Sequence, residues 1–248
     1  MYNTIISVAI GLVCFVAFSL LVGGGDFKPL YGAFPGFVGM LVAAWFTNKR
    51  TLDAVQAISM RAKATIDPLN SGRVTGKAAQ RIVDQAIGVL KEGYQYNKWQ
   101  FFVDAQIDGQ IGTLLYSMKK FDQAERYLRN SMKGNWVARA MLGALLYKRK
   151  KYDEMAEVFE EATGRSKKES LLWNLYAYCM WKASKTDAAI DVLNRALEHV
   201  PNDERTQVNL DALKNKKKMK MRGWNMMWYQ FHLDTPPQQA QRVNFHRR

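Results

Sequence analysis

The sequence predicts an all-α protein, with an N-terminal transmembrane helical hairpin followed by an α-solenoid. Three observations predict it. Two apolar stretches, 4–22 and 30–46, carry no charged side chain. From residue 50 onward apolar residues recur at spacings of three and four, as at Val83, Ile87, Leu90 and Tyr94, with little β signal. A segment of roughly thirty residues then recurs three times, and internal repeats at that period signal a solenoid.

The membrane hairpin comes first. Thr4 to Val22 reads TIISVAIGLVCFVAFSLLV, 19 residues without a charge. At 1.5 Å per residue that is enough to cross roughly 30 Å of hydrocarbon. Met1-Tyr2-Asn3 has no basic residue and no small-residue cleavage site follows, so a cleaved signal peptide fits less well. Leu30 to Phe46 is shorter, and Pro35-Gly36 interrupts it near its start. It reads as a second span or as a re-entrant or interfacial helix, with Trp45 at the headgroup level. The polar turn GGGDFKP joins the two. Residues 1–48 carry only Asp26 and Lys28, so the whole formal charge of +14 sits on residues 49–248. Lys49, Arg50, Arg61 and Lys63 follow the second stretch. The excess of positive charge there puts the remainder of the chain in the cytoplasm.

Residues 49–100 read as linker helices, at about 50–65 and 76–95. Asp67-Pro68-Leu69-Asn70-Ser71-Gly72 lies between them as a loop, by its Pro and Gly content. The repeats follow. YSMKKFDQAERYL (116–128) aligns with YKRKKYDEMAEVF (147–159) and with WKASKTDAAIDVL (181–193). Small residues recur at Gly112, Gly143 and Ala177, and again at Ala124 and Ala189, where two helices must approach closely.

This pattern resembles the tetratricopeptide repeat (TPR), a 34-residue helix–turn–helix unit with the signature W-x2-L-G-x2-Y, A-x3-F, A and P. Residues 105–135, 136–169 and 170–203 match it in register. The third copy is the fullest, with Trp173, Ala177, Ala189, Leu193, Ala196 and Pro201. The second has Leu142-Gly143, Tyr152, Phe159 and Ala162, and the first Ile111-Gly112, Phe121, Ala124 and Leu128. Met155 replaces a small residue in copy two, and Arg139 and Asp108 replace the expected Trp in copies two and one. Ala86, Leu90 and Gly93 stand at motif spacing, so 49–100 also reads as a divergent fourth hairpin. The TPR-like α-solenoid is thus expected over 101–221. Its last helix, capped by Asp203 or Asn202, runs to about Met221 and covers the final apolar face.

The resemblance implies a groove lined by the first helix of each repeat, which takes a peptide, a helix or another protein. The residues at the ends of those helices are Tyr116-Ser117, Tyr147-Lys148 and Trp181-Lys182, with Tyr178 one turn earlier. Aromatic groups there offer large contact area. They equally suit packing between repeats. The carboxylate clamp of chaperone-binding TPR domains would fall on Gly109, Thr113, Met141, Leu171 and Leu175, none of which can supply it.

The tail, 222–248, follows a basic run. Lys214, Lys216, Lys217, Lys218, Lys220 and Arg222 precede Trp224, Trp228, Tyr229 and Phe231. Three readings fit: packing against the solenoid, binding to an anionic lipid surface, or binding RNA with bases stacked on the aromatics. The stretch from Thr235 to Arg248 is polar, with two prolines, and reads as flexible or as ordered by a partner.

No nucleotide-binding, hydrolase or zinc motif occurs, so neither catalysis nor a cofactor or metal is expected. Cys14 and Cys179 are too far apart in unlike segments to suggest a disulfide framework. Cys179, on an apolar helix, reads as core. The adjacent carboxylates Asp153-Glu154 and Glu160-Glu161 point about 100° apart on a helix and read as a solvated face. The sequence thus predicts a non-enzymatic adaptor in a bacterial cytoplasmic membrane. Its expected partners are the lipid bilayer and proteins of a membrane complex. A constitutive structural subunit and a basic tether for lipid or RNA are the alternatives.

Overall fold

The computed structural model describes residues 1–70, 74 and 76–235. Among these there are eleven α-helices, two short 3-10 helices and no strand. The all-α class is therefore as expected. The chain divides into two compact units: Met1–Leu115 with Asn130–Met132, and Tyr116–Arg129 with Lys133 onward.

In the first unit α1 (Tyr2–Val22) pairs with α2 (Pro29–Asn70). Glycine makes the pairing close. A Cβ on Gly11 would lie 2.8 Å from the Met40 Cβ, and one on Gly36 would lie 2.7 Å from the Phe15 Cβ. Small residues are what allow apolar helices to approach in this way. Gly24 and Gly25 turn the chain with φ of +65° and +104°, a region that glycine enters without steric cost. At the open end Asn3 is buried. Its Nδ2 donates to the Thr47 carbonyl at 3.2 Å, to Asn48 Oδ1 at 3.2 Å and to Thr51 Oγ1 at 2.9 Å. Both helices are long and apolar enough to cross a membrane, and only 17 % of each apolar window is buried.

Two boundaries differ from the sequence reading. The second apolar stretch and the first linker helix form one 42-residue helix, which contains Pro35. Proline is tolerated in a first turn and costs more beyond it. Pro35 lies beyond that first turn, so the helix runs through it without an N–H bond to the Tyr31 carbonyl. Asp67-Pro68-Leu69-Asn70 is also helical rather than a loop, and Ser71-Gly72 lie outside the described residues. α3 (Gly76–Lys91) packs on α2 and buries Ala79, Val83, Ala86 and Leu90 at helical spacing. A 3-10 turn over Glu92–Lys98 follows, with Gly93 closely covered by Ile107 of α4 (Val103–Ser117). Asp108, at the position where the repeat pattern expects Trp, is buried and accepts from the Tyr94 hydroxyl.

The second unit contains α5 (Phe121–Asn130), α6 (Trp136–Lys148), α7 (Tyr152–Arg165), α8 (Ser170–Lys182), α9 (Thr186–His199) and α10 (Glu204–Lys214). Helices α6 and α7 pair, α8 and α9 pair, and α8 also packs on α6 and α7. This is a TPR-like stack. The expected small-residue crossing is present: a Cβ on Gly143 would lie 2.5 Å from the Phe159 ring. Arg139, the other departure from Trp, is buried and paired with Glu161 at 2.8 Å.

The turns repeat as well. Lys119, Lys150 and Ser184 all have positive φ (58°, 59° and 64°) at equivalent places. After the helix ends, Lys151 N–H reaches the Leu146 carbonyl and Lys185 N–H the Met180 carbonyl, each at 3.0 Å. That bond across six residues closes a helix C-terminus.

The same closure corrects the expected course of the last helix. Lys216 has φ of 54°, and Lys217 N–H bonds the Ala212 carbonyl at 2.7 Å. So α10 begins as expected, with Asp203 accepting from Thr206 N–H at 3.0 Å, but ends at Lys214 instead of Met221. It ends as the first helix of a repeat does. An extended segment then stands where a second helix would follow.

Candidate protein-binding groove

The groove lies within the second unit, and its residues begin at the helix ends. Tyr116 closes α4, Tyr147 and Lys148 close α6, and Tyr178, Trp181 and Lys182 lie at the end of α8. A residue after each helix enters the left-handed region, so the chain turns at once and leaves these side chains at comparable places.

The structure does not leave them equally open. Tyr116 is fully buried. Its hydroxyl donates to the Phe231 carbonyl at 2.7 Å, and its ring stacks on His232 at 5.6 Å between centroids. Phe121 meets the same imidazole edge-on at 6.1 Å, and Lys148 Nζ stands 4.4 Å from the Phe121 ring. Further along, Trp228 meets Tyr178 in a T-shaped contact at 4.8 Å, with Phe231 at 6.4 Å. Trp228 and Phe231 are both 0 % exposed. The C-terminal aromatic segment therefore packs over the expected groove residues Tyr116 and Tyr178. This segment includes α11 (Met226–Tyr229).

Of the expected groove residues, Tyr116 and Tyr178 are covered by that segment. Trp181 and Tyr147 are half-buried, and Lys182 is exposed. Lys182 Nζ lies 4.7 Å from the Trp181 ring and 5.5 Å from the Tyr178 ring. Tyr147 lies 6.3 Å from Tyr152.

The tail residues divide. Trp224 and Trp228 do not lie on an exposed surface, which corrects their assignment to an anionic-surface tail. Apolar rings with solenoid rings to meet bury themselves there. Lys214, Lys216, Lys217, Lys218, Lys220 and Arg222 are all exposed. Met219 and Met221 alternate with the last three and are buried, as an extended chain lying on a surface requires.

Four residues hold this arrangement, of which only Phe231 stands among the tail aromatics read from the sequence. Phe231 and His232 carry the contacts to Tyr116. Asn174 and Asn209, both 0 % exposed, tie the extended segment to the solenoid. Asn174 Nδ2 donates to Thr206 Oγ1 at 2.7 Å, Asn209 Nδ2 donates to Asn174 Oδ1 at 2.8 Å, and Lys220 N–H donates to Asn209 Oδ1 at 2.6 Å. An asparagine inside each of two apolar helical faces, LLWNLY and QVNLDAL, was the available signal.

The electrostatics follow burial. Burial pushes the Tyr116 hydroxyl well above the ordinary phenol range and the Tyr178 hydroxyl up to about 12. Both remain neutral hydrogen-bonding groups. Burial, then Lys148 and Lys119, hold His232 below the usual imidazole value, against the Ser117 and Tyr116 carbonyls. Burial also raises the Cys179 thiol, which suits core packing rather than nucleophilic chemistry. Among the described residues no group of three or more His, Cys, Asp or Glu is placed to hold a metal.

No protein-family model matches the chain, and no curated protein matches it. Among solved structures it is similar to one described as the MamA RS-1 ArsTM double mutant. The TM-score is 0.47 and the identity 16 %, over 67 % of this chain and 84 % of that one.

Proposed function

We propose that this protein is a membrane-anchored, non-enzymatic TPR scaffold that recruits or organises protein components of a membrane-associated complex. The observation that carries the reading is a repeat stack in the same chain as two paired helices whose apolar surfaces face outward. Anchoring raises the local concentration of whatever the solenoid holds, so a weak groove suffices. Lys49, Arg50, Arg61 and Lys63 favour the cytoplasmic face of a bacterial inner membrane for the solenoid. Recruitment through the groove then requires the segment 224–232 to leave, or uses the uncovered end at Tyr147, Trp181 and Lys182.

The filled groove also favours a second reading. In a constitutive structural subunit the groove would stay closed by its own tail, and partners would meet other faces. Affinity purification from detergent-solubilised native membranes separates the two. The wild type is compared with Trp228→Ala/Phe231→Ala, which opens the groove, and with that variant carrying Tyr147→Ala and Trp181→Ala as well. For an adaptor, the opened groove enriches a partner set and the added substitutions remove it. A partner set unchanged across all three would overturn the groove as the recruiting surface.

A further inference from the structure

Beside the filled groove lies a cavity of about 720 Å³ with a marked excess of positive charge. Lys182 from α8 and Arg205 from α10 form one side, and Lys218, Lys220 and Arg222 of the extended segment form the other. Trp181 supplies a flat wall. Glu204 and Asp234 are the carboxylates lining the cavity, which leaves three positive charges uncompensated. Among the described residues none of the five cations is in an ion pair. Arg205 lies 4.7 Å from the Trp224 ring and Lys182 lies over Trp181, so these two rest on aromatic faces.

The cluster is built rather than incidental. Buried Met219 and Met221 force the side chains between and beside them outward. The Lys220 N–H bond to Asn209 fixes their register along the solenoid. Repulsion among five like charges opposes this arrangement unless an anion sits among them.

We propose that this cavity binds a phosphoryl anion of two or more negative charges. The volume suits a small molecule or a headgroup rather than a helix. Two guanidinium forks match the oxygens of phosphate, and the lysines add charge without fixed geometry. A single carboxylate would leave much of the excess unmet. The bound anion joins the C-terminal segment to the solenoid, because its ligands come from both. The same phosphoryl chemistry is found on soluble polyphosphates and on anionic lipid headgroups.

The test uses the full chain in zwitterionic nanodiscs, with inorganic tripolyphosphate as probe in calorimetric titration. Saturable binding is expected. It should weaken by at least about tenfold in Arg205→Gln/Lys220→Gln, since charge-assisted pairs are the strong ones. Lys214→Gln/Lys217→Gln removes as many charges from the same basic run but lies outside the cavity, and it should retain near-wild-type affinity. Circular dichroism checks that both variants keep wild-type helicity. Equal weakening in both would overturn the site, because the run would then act as diffuse charge. Binding of polyglutamate without saturable tripolyphosphate binding would overturn the phosphoryl assignment. Replacing part of the lipid with phosphatidylglycerol distinguishes the sources: loss of tripolyphosphate affinity means that a headgroup occupies the same cavity, and retained affinity means a soluble ligand.

Discussion

The C-terminal segment is held to the solenoid in two different ways along its length. Its first part, 217–222, is held by polar register. Lys220 N–H is bonded to Asn209, Asn209 to Asn174, and Asn174 to Thr206, with each of the two asparagines fully buried. The second part, 224–232, is held by rings. The nitrogens Trp224 Nε1, Trp228 Nε1 and His232 Nε2 are buried there without a hydrogen-bond partner among the described residues. A buried polar atom left unpaired costs about 1–3 kcal/mol. Ring packing offsets that cost, together with the one buried hydrogen bond from the Tyr116 hydroxyl to the Phe231 carbonyl. The difference shows which part can leave: the first is a fixture of the fold, and the second is a plug whose removal returns three polar groups to water.

The comparison is broken most severely at Asn209. Asn209→Ala removes the acceptor of Lys220 N–H and the donor to Asn174 Oδ1. We expect a loss of about 3 kcal/mol in global stability, since both groups stay buried. Urea unfolding of the full chain in detergent measures it. A loss near zero would place the network among the dispensable contacts.

Trp228→Ala should act differently. Truncating a core Trp costs about 3–5 kcal/mol where the surroundings cannot move. Here the plug can undock, so we expect a global loss under about 2 kcal/mol, together with early hydrogen exchange over 224–232. Slow exchange there, with a full core penalty, would mean that the plug unfolds only with the solenoid.

Acidification sharpens the contrast. His232 binds protons less readily in the docked state than an ordinary imidazole, chiefly because it is buried and then because Lys148 and Lys119 are near. Docking is therefore fullest above the ordinary histidine range and weakens as pH falls through about 6.5. Exchange protection over 224–232 should fall with pH while that over 217–222 does not. His232→Gln should abolish the difference.

The smallest effect belongs to the turn that starts the segment. Lys216 holds a left-handed conformation that glycine adopts freely. Lys216→Gly should stabilise the protein by about 0.5–1 kcal/mol, seen as a small rise in midpoint, without changing the plug.

Much of this molecule was legible in its sequence. Helices α6 and α8 begin at Trp136 and Ser170, the first residues of the second and third sequence copies, and Gly143, Ala177 and Ala189 stand within the paired helices. The pairing of α1 with α2 was legible because two uncharged apolar stretches are joined by a short glycine-rich turn. The helix break after α10 was not recognised, although Lys214-Asn215-Lys216-Lys217 follows the form of Lys148-Arg149-Lys150-Lys151 and of Lys182-Ala183-Ser184-Lys185. Non-glycine left-handed residues give no compositional signal, so the turn is visible only by analogy with its own repeats. The docking of 224–232 on Tyr116 and Tyr178 was less legible still. A Trp, a Phe and a His in a basic tail suit a membrane, a nucleic acid or a protein surface alike, and only the position of Tyr116 and Tyr178 decides among them.

The unbroken α2 has a mechanical consequence. Its 42 residues span about 60 Å at 1.5 Å per residue. Its apolar half and the half that seats α3 share a single rotational phase. One residue inserted near Asn48 would turn the far half by about 100°, carrying Val55, Ile58 and Ala62 away from α3 while leaving the glycine pairing with α1 intact. The length of α2 between its pairing with α1 and its seat for α3 is therefore part of the specification of this unit.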